Sequence, residues 1–209
     1  MGKGAFLTLE GIDGTGKTTQ ARLLAQRLRG AGREVVETRE PGGAPGAEQI
    51  RRLVVEGAPG RWSAVTEALL FTAARRDHVE RVVAPALGRG AVVICDRYVD
   101  STRAYQGEGE GRALVDRLHD LAIGLDPDLT LVLDMDPAAA LSRAEGRTTQ
   151  PGEDRFERKG AAFQFRLRAA FQAIAAAEPD RCAVIDADRP APEVAEAVWA
   201  AAAPRLGLA

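Results

Sequence analysis

The sequence predicts an α/β protein with a five-stranded parallel β-sheet and helices on both of its faces. Five short apolar or β-branched runs alternate with helical patterns along the chain, which is the order that parallel strands joined by crossover helices require. The runs at 91–95 and 131–133 are almost continuously apolar, as expected of strands covered on both faces. Because the chain has no internal repeat and no low-complexity linker, we expect residues 1–209 to form one domain.

Each predicted element follows from its local pattern. Strands are predicted where β-branched and apolar residues form short runs, at Ala5–Leu9, Glu34–Thr38, Ala91–Cys95, Leu129–Asp134 and Cys182–Asp186. Helices are predicted where apolar residues recur at helical spacing, at Thr18–Leu28, Ala47–Val55, Thr66–Leu87, Gly111–Ile123, Pro137–Ala144, Lys159–Ala176 and Pro192–Ala203. Pro137 and Pro192 stand at the beginning of two of these helices, where a missing N–H is tolerated.

The composition is that of an ordinary globular chain, with 45 % apolar residues and a net charge of −2. This charge provides no basic field for nucleic acid or for an anionic membrane surface. No run approaches the roughly 18 apolar residues of a membrane-spanning helix, and no signal peptide precedes the first strand. Cys95 and Cys182 adjoin apolar runs and are predicted to be small core residues, so we expect a reducing, cytoplasmic location.

The segment from Gly11 to Thr18 has the G-x-x-x-x-G-K-[ST] pattern of a phosphate-binding P-loop, between a predicted strand and a predicted helix. Its glycines let the backbone turn so that several N–H groups point at phosphate oxygens, beside the positive end of the helix dipole. Lys17 is expected to reach the β- and γ-phosphates, and the Thr18 hydroxyl to ligate Mg²⁺. The predicted ATP-binding residues of this loop are Gly11, Ile12, Asp13, Gly14, Thr15, Gly16, Lys17, Thr18 and Thr19.

Further charged residues follow the predicted strands at their carboxyl ends, which is where ligands bind in parallel sheets. Arg39 and Glu40 follow the second strand, and Asp96 and Arg97 follow the third. An Asp in the position of Asp96 can orient a water bound to Mg²⁺, although a capping role in an Asp–Arg pair is the alternative. Almost every cation of the chain is arginine, whose planar fork makes bidentate contacts with phosphate.

Four segments together resemble the thymidylate kinase family. They are Glu10–Thr19, Thr38–Gly43, Asp96–Gly107 with the sequence DRYVDSTRAYQG, and Asp154–Glu157 with the sequence DRFE. The resemblance implies a P-loop nucleoside monophosphate kinase fold with a lid at about 143–158. It also implies transfer of the γ-phosphoryl group of ATP to dTMP with Mg²⁺, giving dTDP, by a homodimer that binds neither nucleic acid nor membrane.

The resemblance also assigns the acceptor site. Arg97 is the expected clamp for the dTMP phosphate, and Asp13 is expected to accept a hydrogen bond from the 3′-hydroxyl. Phe71 and Arg75, four residues apart on a predicted helix, are expected to stack on thymine and to donate to its O4, the alternative being a core Phe with a solvated Arg. Thr102 and Gln106 are expected to complete the base pocket, and Tyr105 to crowd the 2′ position of the sugar. Glu40 is expected near the phosphates. The predicted dTMP-binding residues are Asp13, Arg39, Glu40, Phe71, Arg75, Arg97, Ser101, Thr102, Tyr105 and Gln106.

Arginines of the lid are expected to supply catalytic charge, because the P-loop position at which some family members carry an arginine is Gly14-Thr15 here. Arg155 is the first candidate for stabilising the transferred phosphoryl group, with Arg147 second and their roles interchangeable. Arg143 is expected near the adenine of ATP. The predicted catalytic set is Lys17, Arg97, Arg155 and Arg147.

Two other functions remain open on the residues alone. Another kinase of the same fold could act on dUMP or a deoxynucleoside, although Arg97 argues against a neutral hydroxyl as the acceptor. A GTP-dependent switch would need an Asn-Lys-x-Asp guanine reader, whereas the chain contains no Asn. The only histidines, His78 and His119, lie in helical patterns and are predicted to be surface or packing residues.

Overall fold

A computed structural model of the chain describes residues 4–145, 155–156 and 159–208. Its strands are β1 (Ala5–Glu10), β2 (Val35–Arg39), β3 (Val92–Asp96), β4 (Leu129–Asp134) and β5 (Cys182–Asp186). They form one five-stranded sheet in the order β2-β3-β1-β4-β5, and every neighbouring pair is parallel. The predicted sheet is therefore confirmed, and each predicted strand lies within one residue of its observed bounds.

Nine α-helices lie within the described ranges. They are α1 (Lys17–Gly30), α2 (Pro45–Val55), α3 (Ala64–His78), α4 (Ala84–Gly88), α5 (Val99–Gln106), α6 (Gly111–Ala122), α7 (Pro137–Glu145), α8 (Ala161–Ala177) and α9 (Ala191–Arg205). The predicted helix over Thr66–Leu87 is helical throughout, but it is not one regular α-helix, since a π-helical turn at Val79–Val83 joins α3 to α4. Pro85 lies in the first turn of α4, and without an N–H it cannot continue the regular ladder of helical hydrogen bonds.

The helix α5 is absent from the sequence prediction because its eight residues, VDSTRAYQ, are mostly polar and too few to show an apolar period. It begins directly after Arg97 and Tyr98, at the carboxyl end of β3. This position makes α5 the element that carries several predicted acceptor residues to the sheet edge.

The sheet separates two apolar clusters. Along β1, Leu7 and Leu9 belong to one cluster, which also contains residues of α1, α8 and α9, whereas Phe6 belongs to the other, with residues of α3 and α6. Because neighbouring side chains of a strand point to opposite faces, helices cover the sheet on both sides, as predicted. Cys95 and Cys182 are buried and free, in agreement with their prediction as core residues.

Candidate active site

The loop between β1 and α1 packs tightly against a neighbouring helix. Gly14 has φ +90°, and a Cβ atom there would lie 1.9 Å from the carbonyl oxygen of Ala140 in α7. Only glycine avoids this overlap and adopts the left-handed backbone without strain. Gly16, with φ +92°, precedes α1 without a side-chain cap, so the first N–H groups of α1 are left without a partner from a capping side chain.

Lys17 is buried beneath this loop. Its Nζ donates to the carbonyl oxygens of Gly11 at 3.1 Å and Ile12 at 2.8 Å, and lies 3.9 Å from a carboxylate oxygen of Asp13. Burial, followed by the nearby charge of Arg97, lowers the pKa of Lys17 to about 8. The ammonium group is thus held where the loop closes, with its charge only partly compensated.

Thr18 and Asp96 form the pair predicted to hold a metal ion. The Thr18 Oγ1 donates to the Asp96 Oδ2 at 2.5 Å, which joins the beginning of α1 to the end of β3. Within the described ranges, no group of three or more His, Cys, Asp or Glu side chains could hold a metal by itself. One carboxylate and one hydroxyl fit Mg²⁺ nevertheless, because this ion commonly takes its remaining ligands from water and substrate phosphates.

Arg97 links the P-loop to α5. It has an unusual φ of +72°, and its guanidinium donates to the Gly11 carbonyl at 3.1 Å, the Ser101 hydroxyl at 2.9 Å and the Asp13 carboxylate at 2.6 Å. Burial alone would raise the pKa of Asp13, but Arg97 and Lys17 outweigh it and lower that pKa to about 2. The Tyr105 hydroxyl lies 3.4 Å from the other Asp13 oxygen. A carboxylate and a guanidinium are therefore fixed side by side at the sheet edge.

Glu10 ties the same two elements together from below. Its buried carboxylate accepts hydrogen bonds from the backbone N–H of Tyr98 at 2.7 Å and of Ser101 at 3.2 Å, and from the Ser101 hydroxyl at 2.6 Å. Burial and the neighbouring charge of Asp100 raise the pKa of Glu10. Glu10 thus anchors the beginning of α5 to the last residue of β1, directly before the P-loop.

Nearly all of the predicted acceptor residues line one cavity of about 280 Å³. From the predicted set these are Asp13, Glu40, Phe71, Arg75, Arg97, Ser101, Thr102, Tyr105 and Gln106. Arg39 instead lines an adjoining groove of about 660 Å³, together with Lys17, Thr18 and Asp96. Asp13, Glu40, Arg51 and Arg97 line both spaces, so the cavity and the groove meet along these four side chains.

Arg75 is fixed at the inner wall of the cavity. Its Nε donates to Glu40 at 2.8 Å and its Nη2 to the Thr102 hydroxyl at 2.9 Å. Glu40 also contacts His78 Nδ1 at 2.9 Å, and the other ring nitrogen of His78 lies 2.7 Å from the Thr38 hydroxyl. These contacts place His78 in buried packing, as predicted, and hold the Arg75 guanidinium rigidly.

Gln106 brings an unused hydrogen-bond acceptor to the same cavity. Its Nε2 donates to a Glu67 carboxylate oxygen at 2.8 Å, while its Oε1 is buried without a hydrogen-bond partner. A buried acceptor without a partner is unfavourable unless a ligand supplies a donor. This atom therefore favours a cavity occupant with an N–H or O–H group.

These features can be compared with known proteins. The profile of the family described as Thymidylate kinase matches residues 9–198. A thymidylate kinase from Ruegeria pomeroyi is 62 % identical over 196 residues, 93 % of this chain and 92 % of the relative, and one from Caulobacter vibrioides is 54 % identical over the whole of both chains. The chain belongs to the thymidylate kinase family. Its reaction is accordingly the phosphorylation of dTMP to dTDP, a step of nucleotide biosynthesis.

A solved structure agrees with this assignment. The crystal structure of the thymidylate kinase from Ehrlichia chaffeensis matches with a TM-score of 0.74 and 38 % identity, covering 96 % of this chain and 98 % of that one. The nucleoside monophosphate kinase fold that the resemblance implied is thereby confirmed. None of the helices in the described ranges is long and apolar enough to cross a membrane.

The structure places Arg155 in a buried position. The sequence predicted that this side chain stabilises the transferred phosphoryl group, but its guanidinium is fully buried against the end of α2 and the segment that follows it. It donates to the carbonyl oxygens of Val54 at 2.9 Å, Ala58 at 2.9 Å and Pro59 at 3.0 Å, and it pairs with Glu67. Four of the five N–H donors of the guanidinium are engaged in this way, so one remains for a phosphoryl group.

Of the other two lid arginines, the structure describes Arg143. Arg147 lies outside the described residues. Arg143, at the end of α7, donates to the Ala187 carbonyl at 3.1 Å and lies 3.5 Å from Asp188, with its side chain half exposed. Arg143 is therefore placed beside the loop that follows β5.

Sequence reasoning missed Phe156 and Glu67. Phe156 lines the cavity, with its ring centre 6.2 Å from that of Phe71 and 5.4 Å from that of Tyr105. It was quoted within the DRFE segment but assigned to the lid, although an aromatic residue there could have suggested a pocket wall. Glu67 carries no local signal, since it resembles any charged residue in the first turn of a helix.

Proposed function

We propose that the protein transfers the γ-phosphoryl group of ATP to the 5′-phosphate of dTMP in line, with Mg²⁺, in a single domain whose lid spans about 143–158. The observation that carries this proposal is that the groove and the cavity meet along shared side chains, among them Asp13 and Arg97. ATP phosphates in the groove, above Lys17, would then face a dTMP phosphate at the mouth of the cavity. The lid would cover the meeting point and exclude water.

The acceptor phosphate needs charge neutralisation rather than a general base. A phosphate monoester has a second pKa of about 6 and therefore already carries close to two negative charges near neutral pH. In the described part of the chain, His78 is fully buried and His119 almost so, and neither lines the cavity. Arg97 positions the acceptor oxygen, and Lys17 and the N–H groups of the P-loop hold the donor phosphates, so that two anions can be aligned.

Base selection follows from two fixed groups in the cavity. The Arg75 guanidinium donates to O4 of thymine, and Gln106 Oε1 accepts from its N3–H. Cytosine presents an amine in place of O4 and an acceptor at N3, so both contacts would be lost. Phe71 and Phe156, whose ring centres lie 6.2 Å apart, form one apolar wall against which the flat base packs.

The sugar and the metal ion complete the assignment. Asp13 accepts a hydrogen bond from the 3′-hydroxyl, and Tyr105, packed against Phe156 at 5.4 Å, leaves no room for a 2′-hydroxyl. Thr18 and Asp96 would hold Mg²⁺, which supplies charge neutralisation at the phosphate oxygens when bound. Glu40 acts mainly on Arg75, and Arg39, exposed and paired with Glu48, lies at the rim of the groove.

For the arginines of the lid, the burial of Arg155 moves our preference to the other candidate. We assign charge stabilisation of the transferred phosphoryl group to Arg147, and contact with adenine to Arg143, beside the loop after β5. Arg155 is instead assigned to the support of the acceptor pocket, behind the residues that line it.

We further propose a cytoplasmic homodimer that packs through α3 and α6. These two helices lie against each other, and Val65, Leu69 and Leu121 leave large apolar side chains exposed on them. Leu121 is 87 % exposed, which favours a covering partner over solvent. A second copy of the chain would bury this surface.

An ADP-release assay with four acceptors tests the proposed function. The purified protein with ATP and Mg²⁺ is offered dTMP, dUMP, dCMP and thymidine. We expect dTMP to be the best acceptor, and thymidine to be inactive because it has no phosphate for Arg97. Turnover of thymidine, or of dCMP as fast as dTMP, would contradict the assignment of the cavity.

The exchange Arg75→Ala is expected to raise the KM for dTMP by about tenfold or more, because a directed hydrogen bond to the base is lost. The measurement is steady-state kinetics with dTMP varied at saturating ATP. Arg81→Ala is the control, since Arg81 lies six residues further along the chain and pairs with Asp77 at the surface. A dTMP KM equal to that of the parent would place base recognition elsewhere.

The lowered pKa of Lys17 predicts a pH dependence of ATP binding. Only the charged amine attracts phosphate, and the charges of Asp13, Asp96 and Glu10 do not restore its pKa, which is about 8. ATP affinity should therefore be full below that pH and fall about tenfold per pH unit above it. Calorimetric titration across this range measures the effect. Lys17→Arg should abolish the pH step because a guanidinium stays charged, whereas an equally flat profile in the parent would contradict the prediction.

A further inference from the structure

A buried ion pair stands directly behind the base end of the cavity. Arg155 and Glu67 are almost entirely inaccessible to solvent, and their side chains pair with each other. Three backbone carbonyls fix the guanidinium: that of Val54 in the last turn of α2, and those of Ala58 and Pro59 in the segment between α2 and α3. The next residue, Phe156, turns its ring into the cavity, 5.1 Å from the Arg155 guanidinium. The pair is therefore anchored to the scaffold on one side and reaches the pocket on the other.

The second oxygen of Glu67 determines which end of the Gln106 amide faces the cavity. One Glu67 oxygen accepts from Arg155, and the other accepts from Gln106 Nε2 at 2.8 Å. A carboxylate offers only acceptors, so the NH₂ end of the amide must face it. The carbonyl end is then left free, which agrees with the buried Oε1 that has no partner.

We propose that Arg155 and Glu67 are positioning residues that make the acceptor pocket selective for bases with an N–H at ring position 3. By holding the Gln106 amide in one orientation, they present an acceptor to thymine or uracil and withhold the donor that cytosine would need. This inference rests on the proposed function, because it takes the cavity to be the dTMP site. It assigns Arg155 to substrate selection rather than to phosphoryl transfer.

A carboxylate at position 67 fixes the Gln106 amide because it has no hydrogen-bond donor. An amide there could both donate and accept, and the Gln106 amide could then turn over without losing its contact. The NH₂ group of Gln106 would face the cavity in a fraction of the molecules and could donate to N3 of cytosine. Arg155 keeps Glu67 in place because its own position is fixed by backbone atoms.

The test compares dTMP, dUMP and dCMP as acceptors for the parent and for Glu67→Gln. We expect the ratio of kcat/KM for dTMP over dCMP to narrow by about tenfold or more, whereas the ratio for dTMP over dUMP, whose N3 positions are identical, stays unchanged. Glu196→Gln is the matched control, because Glu196 pairs with Arg27 at the surface. An unchanged dTMP to dCMP ratio in a folded Glu67→Gln protein would overturn the inference.

A double variant covers the case in which the single exchange prevents folding. Glu67→Gln together with Arg155→Met removes both charges and leaves none unpaired in the interior; it should show the same narrowed ratio. In both variants the KM for dTMP should rise by a larger factor than kcat falls. A fall in kcat with an unchanged KM would mean that Arg155 acts in catalysis, and it would overturn the inference. If the parent itself fails to phosphorylate dTMP, the proposed function fails; if only the ratios stay unchanged, the positioning role fails.

Discussion

Replacing Lys17 with methionine is expected to lower kcat by about 10²- to 10³-fold, with a smaller change in the KM for dTMP. Lys17 is the buried cation of the P-loop, held by two carbonyl oxygens of that loop. Charge on the transferred phosphoryl group is spread over its outer oxygens during the reaction, and a fixed ammonium in a buried site stabilises that charge without reorganisation. Single-turnover measurement at saturating ATP and dTMP isolates the chemical step.

Arg27→Met is the matched control for this experiment. It also removes one cation from α1, but at the surface and far along the helix, where Arg27 pairs with Glu196. This control should retain the kcat of the parent. A Lys17→Met protein with a kcat within about threefold of the parent would show that other groups hold the donor phosphates.

Replacing Arg97 with alanine is expected to lower kcat/KM for dTMP by about 10³-fold. Two losses add: the acceptor phosphate loses a guanidinium fork, and Asp13 loses the partner that keeps its pKa at about 2. An Asp13 carboxylate without Arg97 would also repel the incoming phosphate. Steady-state kinetics with dTMP and ATP varied separately should place most of the effect on dTMP.

Two further variants separate these losses. Arg97→Lys keeps the charge without the fork, and it should recover only part of kcat/KM, since a lysine cannot make the paired contacts to Gly11, Ser101 and Asp13. Arg89→Ala removes a surface arginine that pairs with Glu34 and should leave the kinetics unchanged. Full recovery by lysine would mean that charge alone matters at position 97.

The sequence was sufficient for the sheet and for most of the candidate site, because the signals there are local. The P-loop is a contiguous motif between a strand and a helix, and the Asp96–Gly107 segment follows the next strand of the sheet. Parallel strands bring such segments to the same edge, so residues far apart in sequence could be placed together. The fold brings all of the predicted acceptor residues except Arg39 to one cavity.

The burial of Arg155 could not be predicted from the sequence. Its hydrogen bond to the Val54 carbonyl joins residues 101 positions apart, and a backbone carbonyl leaves no mark in a sequence. An arginine near a lid is more naturally assigned to phosphate than to an ion pair inside the protein. Glu67 was missed for the same reason, and α5 because its eight polar residues show no periodicity.

The carboxylate of Glu10 has a mechanical consequence. It is the last residue of β1, and through Tyr98 and Ser101 it fastens the beginning of α5 to the strand that leads into the P-loop. The P-loop, which binds the donor phosphates, and the beginning of α5, beside the acceptor site, are thus both attached to β1. The distance that the transferred phosphoryl group must cross is therefore set by the sheet itself.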